Sequence, residues 1–307
     1  MVQYIGQRLV STIPVLVGVS VLVFLILYLL PGDPAQTLLF GTQATPEQVV
    51  TLRHELGLDR PLVVQYVDWV WRLVQGDFGE SFVSQRDVRG EIFGQFPATF
   101  RLALAGMMVA ILIGFPTGII AGVRRGSWLD VVASGISVLG VAIPNFWLAV
   151  LLILIFSIQL DVLPVLGQGS PQAIILPALS LGWGFAAIIT RLVRASMIEV
   201  LNQPYITTAR AKGLAGHVVV VRHALKNAVI PVVTILGLQV ANLLSGAVVV
   251  ESIFARQGIG SLAVRAILAK DIPLIQGVVI FVAVIYVLVN LLVDLGYALL
   301  DPRIRYD

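Results

Sequence analysis

The chain has 307 residues, of which 58% are hydrophobic and only 12% charged, and its mean hydropathy is +0.96; soluble domains run roughly half apolar and a quarter charged, so a water-soluble fold is the poor fit. It has no cysteine, which excludes a disulfide framework, a thiolate metal site and a cysteine nucleophile. The net charge of +3 and pI near 9.4 come from bases spread thinly at the ends of apolar runs, which argues for membrane topology and against a nucleic-acid surface.

Six stretches are free of Asp, Glu, Lys and Arg: 9–30, 102–123, 131–160, 162–190, 227–250 and 272–293. With about 20 apolar residues per membrane span, each is long enough to cross a bilayer. The first exceeds the h-region of a signal peptide and no A-x-A site follows, so it reads as a retained first helix. Its exit, Pro31, Gly32, Asp33 and Pro34, is a breaker cluster that ends a helix at the outer interface.

In the segment that follows, Thr45, Pro46 and Glu47 predict a helix N-terminus, and Gly57 its stop. A second helix is expected from Pro61 to Val74. Its Val63, Val67, Val70 and Val74, with Tyr66, Trp69 and Trp71, suit either a helix lying on the membrane surface or a small soluble subdomain. The third uncharged run is long enough to tilt or overshoot. The fourth opens with the breakers LPVLGQGSP, so its membrane part is expected to start near Ala173.

Positive residues are retained on the cytoplasmic side. With the N-terminus inside, the cytoplasmic pieces take eleven of the twenty bases, among them Arg124, Arg125, Arg191, Arg194 and Arg210, but only five of the seventeen acids. Both termini are therefore expected in the cytoplasm. The longest inner segment is 191–226. Pro204 can start a short helix, YITTARAK, and Gly213 suits the left-handed turn that ends one. A short basic helix between two turns fits a partner's groove, and a solvated loop obeying the positive-inside rule has the same composition.

Polar residues within the spans are mostly uncharged: Asn145, Gln239, Asn242, Ser245 and Asn290. Gln239, Asn242 and Ser245 recur every third residue and share one helical face. That face either lines a pore or holds helices together by hydrogen bonds. The phosphate-cradling G-x-x-x-x-G-K-[ST] is absent, since none of Lys212, Lys226 and Lys270 completes it. His54, His217 and His223 are too scattered for a metal site, His54-Glu55 lacks a second histidine at Leu58, and no G-x-S-x-G occurs. No catalytic constellation is expected, so any ATP chemistry belongs to another subunit.

The chain resembles the permease subunits of dipeptide, oligopeptide and nickel ABC importers nearly end to end, through LLPGDPA, ELGLDRPLVVQY, GDFGES, FPATFRLAL, RRGSWLD, IPNFW, ILPALSLG, RASMIEVL, YITTARAKGL, RHALKNAVIP, GAVVVESIF and NLLVDLGYALLDPRIR. The resemblance implies an all-α, type I importer permease of about six transmembrane helices, N-in and C-in, in the cell membrane. It implies pairing with a second, similar permease, two ABC ATPase subunits that carry ATP and Mg²⁺, and an external solute-binding protein. Di- and oligopeptides are the implied substrates, with nickel, glutathione or another small solute as the alternative, and a stand-alone channel or secondary carrier as a remoter one.

The family's cytoplasmic coupling loop falls on Tyr205, Thr207, Thr208, Ala209, Arg210, Ala211, Lys212, Gly213 and Leu214. In the wider superfamily that loop begins Glu-Ala-Ala and ends with Leu-Pro; here Thr207 and Thr208 stand at the first two positions, and Leu225 is followed by Lys226 and Asn227. The implied organisation is a tail and first helix (1–30), an extracytoplasmic segment with short amphipathic helices (31–101) and a five-helix core (102–307) that contains the coupling loop 191–226. Asn145, Gln239, Asn242 and Ser245 are the candidate pore residues.

Overall fold

The computed structural model describes residues 2–29, 45–55, 57–165 and 170–300, and it is helical almost throughout. The expected breaker cluster at Pro31–Pro34 and the stretch beyond residue 300 lie outside the described residues. In chain order the helices are α1 (Val2–Leu29), α2 (Pro46–Glu55), α3 (Leu62–Val74), α4 (Val88–Val123), α5 (Trp128–Ala142), α6 (Asn145–Leu152), α7 (Ile175–Leu201), α8 (Pro204–Ala211), α9 (Leu225–Ile253), α10 (Ile259–Leu268) and α11 (Ile272–Leu300). A π-helical segment, Ile153–Gln159, extends α6, a 3₁₀ turn, Pro171–Ile174, leads into α7, and Gly216–Val218 with the π segment Val219–Ala224 leads into α9.

By length and composition Val88–Val123, Pro171–Leu201, Gly216–Gly237 and Ile272–Val293 can each cross a membrane, and α1 carries a shorter apolar stretch, Val10–Leu25. The third uncharged run is not the single long span expected of it. It breaks between α5 and α6 with a bend of 104°, because Pro144 cannot donate to the helical ladder and forces Ile143 into an extended conformation (φ −79°, ψ 119°). Two other boundaries move. The helix expected from residue 102 starts at Val88, and α7 runs on past Thr190 to Leu201. Val193, Ser196 and Met197 in that extension are buried, keeping the helical period on one face while Arg191 and Glu199 point elsewhere.

Two compact units divide the described residues. The first takes those up to Pro97 together with Ser261–Leu291; the second takes Ala98–Gly260 and the residues from Leu292 onward. In the first, the Thr45 Oγ accepts from the Gln48 N–H (3.4 Å) while Gln48 Oε1 accepts from the Thr45 N–H (2.9 Å), a reciprocal cap that starts α2. Gly57, at φ 67°, ends that helical region as expected. Asp271, 1% exposed, accepts from Ser81 Oγ (2.5 Å) and the Phe82 N–H (3.1 Å) and sits at the N-terminus of α11. The GDFGES turn and α11 are thereby tied by one carboxylate. Phe93 and Phe96 both meet the Phe281 ring edge-on.

In the second unit α7 is the central helix, with 61% of its most apolar stretch buried. Glycines of α4 let it approach: a Cβ on Gly118 would lie 2.6 Å from Val193 Cβ and 2.7 Å from the Thr190 carbonyl, and one on Gly114 or Gly122 would meet Ile189 or Met197 as closely. Where lipid tails give no hydrophobic gain between helices, such close backbone packing supplies the dispersion contact that holds them. Thr117 and Thr190 hydroxyls join across the same seam at 2.8 Å.

Candidate functional site

The segment after α7 is built from local chemistry. Pro204 occupies the first turn of α8, where its missing N–H costs nothing. At the other end the Gly213 N–H donates to the Arg210 carbonyl (2.9 Å) and Gly213 takes φ 76°, the left-handed cap that the sequence predicts. Eight residues cannot hold a helix by propensity alone. Two side chains fasten this one: Ile206 (0% exposed) and Ala209 (8%) sink into a cluster with Val193 and Met197 of α7, Val219 and Ala224 of the π segment and Ala228 of α9.

This keel sorts the predicted coupling residues. Tyr205, Thr207, Thr208, Arg210, Ala211, Lys212, Gly213 and Leu214 are exposed, and Ala209 is turned inward, so its small size serves packing within the chain. Nothing lies within 4 Å of where a Cβ on Gly213 would stand. Thr208 Oγ1 donates back to the Pro204 carbonyl (3.1 Å). Tyr205 Oη accepts from Asn227 Nδ2 at 2.8 Å, a direct link from α8 to the start of α9. Ser196 Oγ donates to the Ala228 carbonyl (2.9 Å), so α7, α8 and α9 meet at one joint.

A second fastening near the same end of α7 was not singled out in the sequence. Asp130 in α5 is 4% exposed and pairs with Arg194 through two bonds, Nε to Oδ1 at 2.5 Å and Nη2 to Oδ2 at 2.9 Å. The Gly126 N–H also donates to Asp130 Oδ2 (2.9 Å), and Ser127 caps α5 by accepting from the Asp130 N–H (3.4 Å). The RRGSWLD motif therefore places one carboxylate: Gly126 makes the turn at φ 79°, Ser127 starts the helix and Asp130 receives the arginine. A two-point guanidinium–carboxylate contact fixes orientation as well as distance.

The polar residues of the spans separate into two groups. Asn145, the first residue after the 104° bend, is half-buried, with its side chain beside Gly184 of α7 and Gly246 of α9. On α9, Asn242 Nδ2 donates to Gln239 Oε1 (3.0 Å), and Asn242 and Ser245 are exposed on this chain. A face that held the chain's own helices together would be covered by them. Intramembrane polar groups avoid lipid, so this face requires water or another polypeptide opposite it.

At the far end of α9 the structure adds Glu251, 1% exposed and one residue beyond the uncharged run. It accepts from Thr99 Oγ1 (2.6 Å) and the Gly260 N–H (2.9 Å), and Thr99 Oγ1 in turn accepts from the Ile259 N–H (2.8 Å). A Cβ on Gly258 would fall inside the carboxylate's contact distance, so the turn from α9 into α10 closes on Glu251 only with glycine there. Arg256 donates to the Ala173 carbonyl at 3.0 Å. Among the described residues no group of three or more His, Cys, Asp or Glu side chains forms a metal cluster.

The chain is 44% identical over 306 residues, covering all of both sequences, to the glutathione transport system permease protein GsiC of Escherichia coli (strain K12), and equally so to that of Salmonella typhi. Among solved structures, the methionine ABC transporter MetNI in an inward-facing conformation aligns at TM-score 0.57 and 20% identity, over 66% of this chain and 93% of that one. An amino acid ABC transporter aligns at TM-score 0.55 and 15% identity, over 69% and 94%; at such identities the fold alone is shared. Residues 1–103 match the N-terminal region of the binding-protein-dependent transport system membrane component and residues 114–306 its inner membrane component. The chain thus belongs to the binding-protein-dependent transport system inner membrane components, the multi-pass permease subunits of ABC importers.

Proposed function

We propose that this chain forms half of the translocation pathway of an ATP-driven importer for short peptides, with glutathione, itself a tripeptide, as the first substrate to test. The second half is a similar permease whose α9 counterpart faces Gln239, Asn242 and Ser245. The observation that carries this reading is the exposed polar face of α9, which a lone chain in lipid would have to bury. Substrate reaches the pathway from a solute-binding protein outside the cell.

Power enters through the exposed face of α8. Two cytoplasmic ATPase subunits, which hold the ATP and Mg²⁺, receive Tyr205, Thr207, Thr208, Arg210, Ala211, Lys212, Gly213 and Leu214 in a groove, while Ile206 and Ala209 make α8 rigid with α7 and α9. Closure of the ATPases then moves α8 as a lever and switches the pathway between outward and inward access. The absence of any nucleotide-binding motif from the sequence supports placing hydrolysis elsewhere.

The test is reconstitution of the chain with its co-purifying subunits in proteoliposomes, followed by uptake of labelled glutathione, a dipeptide, a longer peptide and Ni²⁺. ATP- and binding-protein-dependent uptake of glutathione or a peptide supports the reading. Uptake of Ni²⁺ alone would replace the substrate class, and uptake by the chain without any ATPase would remove the coupling role.

A further inference from the structure

Helix α3 has no buried residue, yet it is not polar. At about 100° per residue its side chains fall into three sectors. Tyr66 and Trp69 turn toward α1, where Tyr66 Oη shares a hydrogen bond with Ser20 Oγ at 2.7 Å and Phe24 meets both rings at centroid distances of 5.4 and 5.8 Å. Gln65, Asp68 and Arg72 make a polar sector that lines an open cleft of about 800 Å³. The third sector, about 100° wide by the same helical count, is Val63, Val64, Val67, Trp71 and Val74. Val63 and Val74 are each 73% exposed, Trp71 64% and Val67 56%.

We infer that α3 lies flat in the membrane surface at the C-terminal end of α1, with its valine sector immersed in the acyl chains of that leaflet and its polar sector facing water. Three observations select lipid over a protein partner. The helix on which α3 packs, α1, itself exposes Val17, Val21 and Leu22, so the valine sector stands beside a second apolar surface. It is made of aliphatic side chains without a hydrogen-bonding group, apart from Trp71, which lies between Val67 and Val64 by the helical count and also lines the cleft beside the polar sector; indole favours the headgroup boundary. The polar sector, with Arg72 and the Arg60–Asp68 pair (3.3 Å), is centred about 120° around the helix from the valines, and separate apolar and polar sectors on one helix are the arrangement of an interfacial helix.

The consequence for transport is mechanical: α3 anchors the outer half of α1 to the bilayer surface through Ser20 and Phe24. This inference needs only that α1 spans the membrane and is independent of which substrate moves.

The native chain has no cysteine, so single cysteines at Val63, Val67 and Val74 and at Gln65, Asp68 and Arg72 can each carry a nitroxide without background from this chain. In the complete transporter in lipid nanodiscs, relaxation by oxygen should exceed relaxation by water-soluble nickel complex at the three valine sites, and the order should reverse at the three polar sites. Nickel accessibility at all six sites would place α3 in water and overturn the inference. Immobilised spectra with both reagents excluded at the valine sites would place a protein there and overturn it equally. If the labelled variants fail to assemble, brominated phospholipid should quench the emission of the wild-type transporter more than that of Trp71→Phe; equal quenching would again reject lipid contact.

Discussion

Two short helices stand outside the long apolar ones, and they present opposite chemistry. Helix α8 buries an apolar keel, Ile206 and Ala209, and turns threonines and bases outward; α3 buries nothing fully and turns valines outward. Both carry apolar residues at helical spacing, so amphipathicity by itself does not say what a helix touches. The outward face does: an exposed polar and basic face suits a protein in water, and an exposed aliphatic face beside a membrane span suits lipid.

The comparison breaks most severely if the support under α8 is removed. Gly118→Leu would drive a side chain into Val193 and the Thr190 carbonyl, where even a Cβ has no room. Overpacking on this scale costs about 3 kcal/mol. Amide exchange in nanodiscs should rise across 190–214 while 62–74, whose unit does not contain Gly118, keeps its protection. Equal loss in both segments would show that the two helices share one support.

Arg194→Ala is the milder version. It leaves Asp130, with a side chain 6% exposed, without its partner, but the arginine is itself 31% exposed, so the cost falls below that of a fully buried pair, at about 2 kcal/mol. The expected readout is faster exchange at the Asp130 end of α5 and in α8, with ATPase activity less dependent on substrate. Unchanged exchange in α8 would confine the Asp130–Arg194 contact to α5.

Gly213 sharpens the contrast from the other side. At φ 76° a β-branched residue is strained by about 1–2 kcal/mol, whereas asparagine tolerates the left-handed region. Gly213→Val should uncouple hydrolysis from uptake while the chain still reaches the membrane, and Gly213→Asn should retain most of the coupling. If both uncouple equally, loss comes from the added side chain in the open space around Gly213, which places a partner surface there; normal uptake in both removes the coupling role from this turn.

These positions differ in how far the sequence discloses them. The Thr45 cap, the Gly57 and Gly213 turns and Pro204 were legible because each acts on backbone within a few residues. The keel was half legible: the segment was recognised, but Ala209 counted as a contact for a partner until its burial among α7 and α9 residues became visible. Asp130 and Arg194, 64 residues apart, read as topological charges at span ends because nothing local pairs them, and the Thr99–Glu251 contact, across 152 residues, has no local signal either. Pro144 was visible, yet a search for uncharged runs ignores backbone, and the 104° bend was lost with it. Arg191 to Leu201 failed for the complementary reason, since charges marked it as loop while its buried Val193, Ser196 and Met197 continue the helix.

The smallest effect concerns the turn that leads into α3. His54 Nδ1 and Asp59 Oδ2 are 2.6 Å apart across Gly57, and the histidine's hydrogen bond is the main cause that holds the Asp59 carboxyl below its ordinary value of 3.8. A carboxyl depressed in the folded state stabilises above its unfolded pKa and loses that contribution as pH falls through the folded one. Asp59 therefore adds no pH dependence between pH 5 and 8, and its contribution fades only below about pH 4. Both side chains are well exposed, at 81% and 43%, so salt screens the pair and the change is local. Amide exchange at 57–60, corrected for its intrinsic rate, should rise below pH 4 in the wild type and lose that acid step in Asp59→Asn. Persistence of the step in the variant would release Asp59 from this role and leave the turn held by its backbone bonds, from the Leu58 N–H to the Arg53 carbonyl and from the Arg60 N–H to the Gly57 carbonyl.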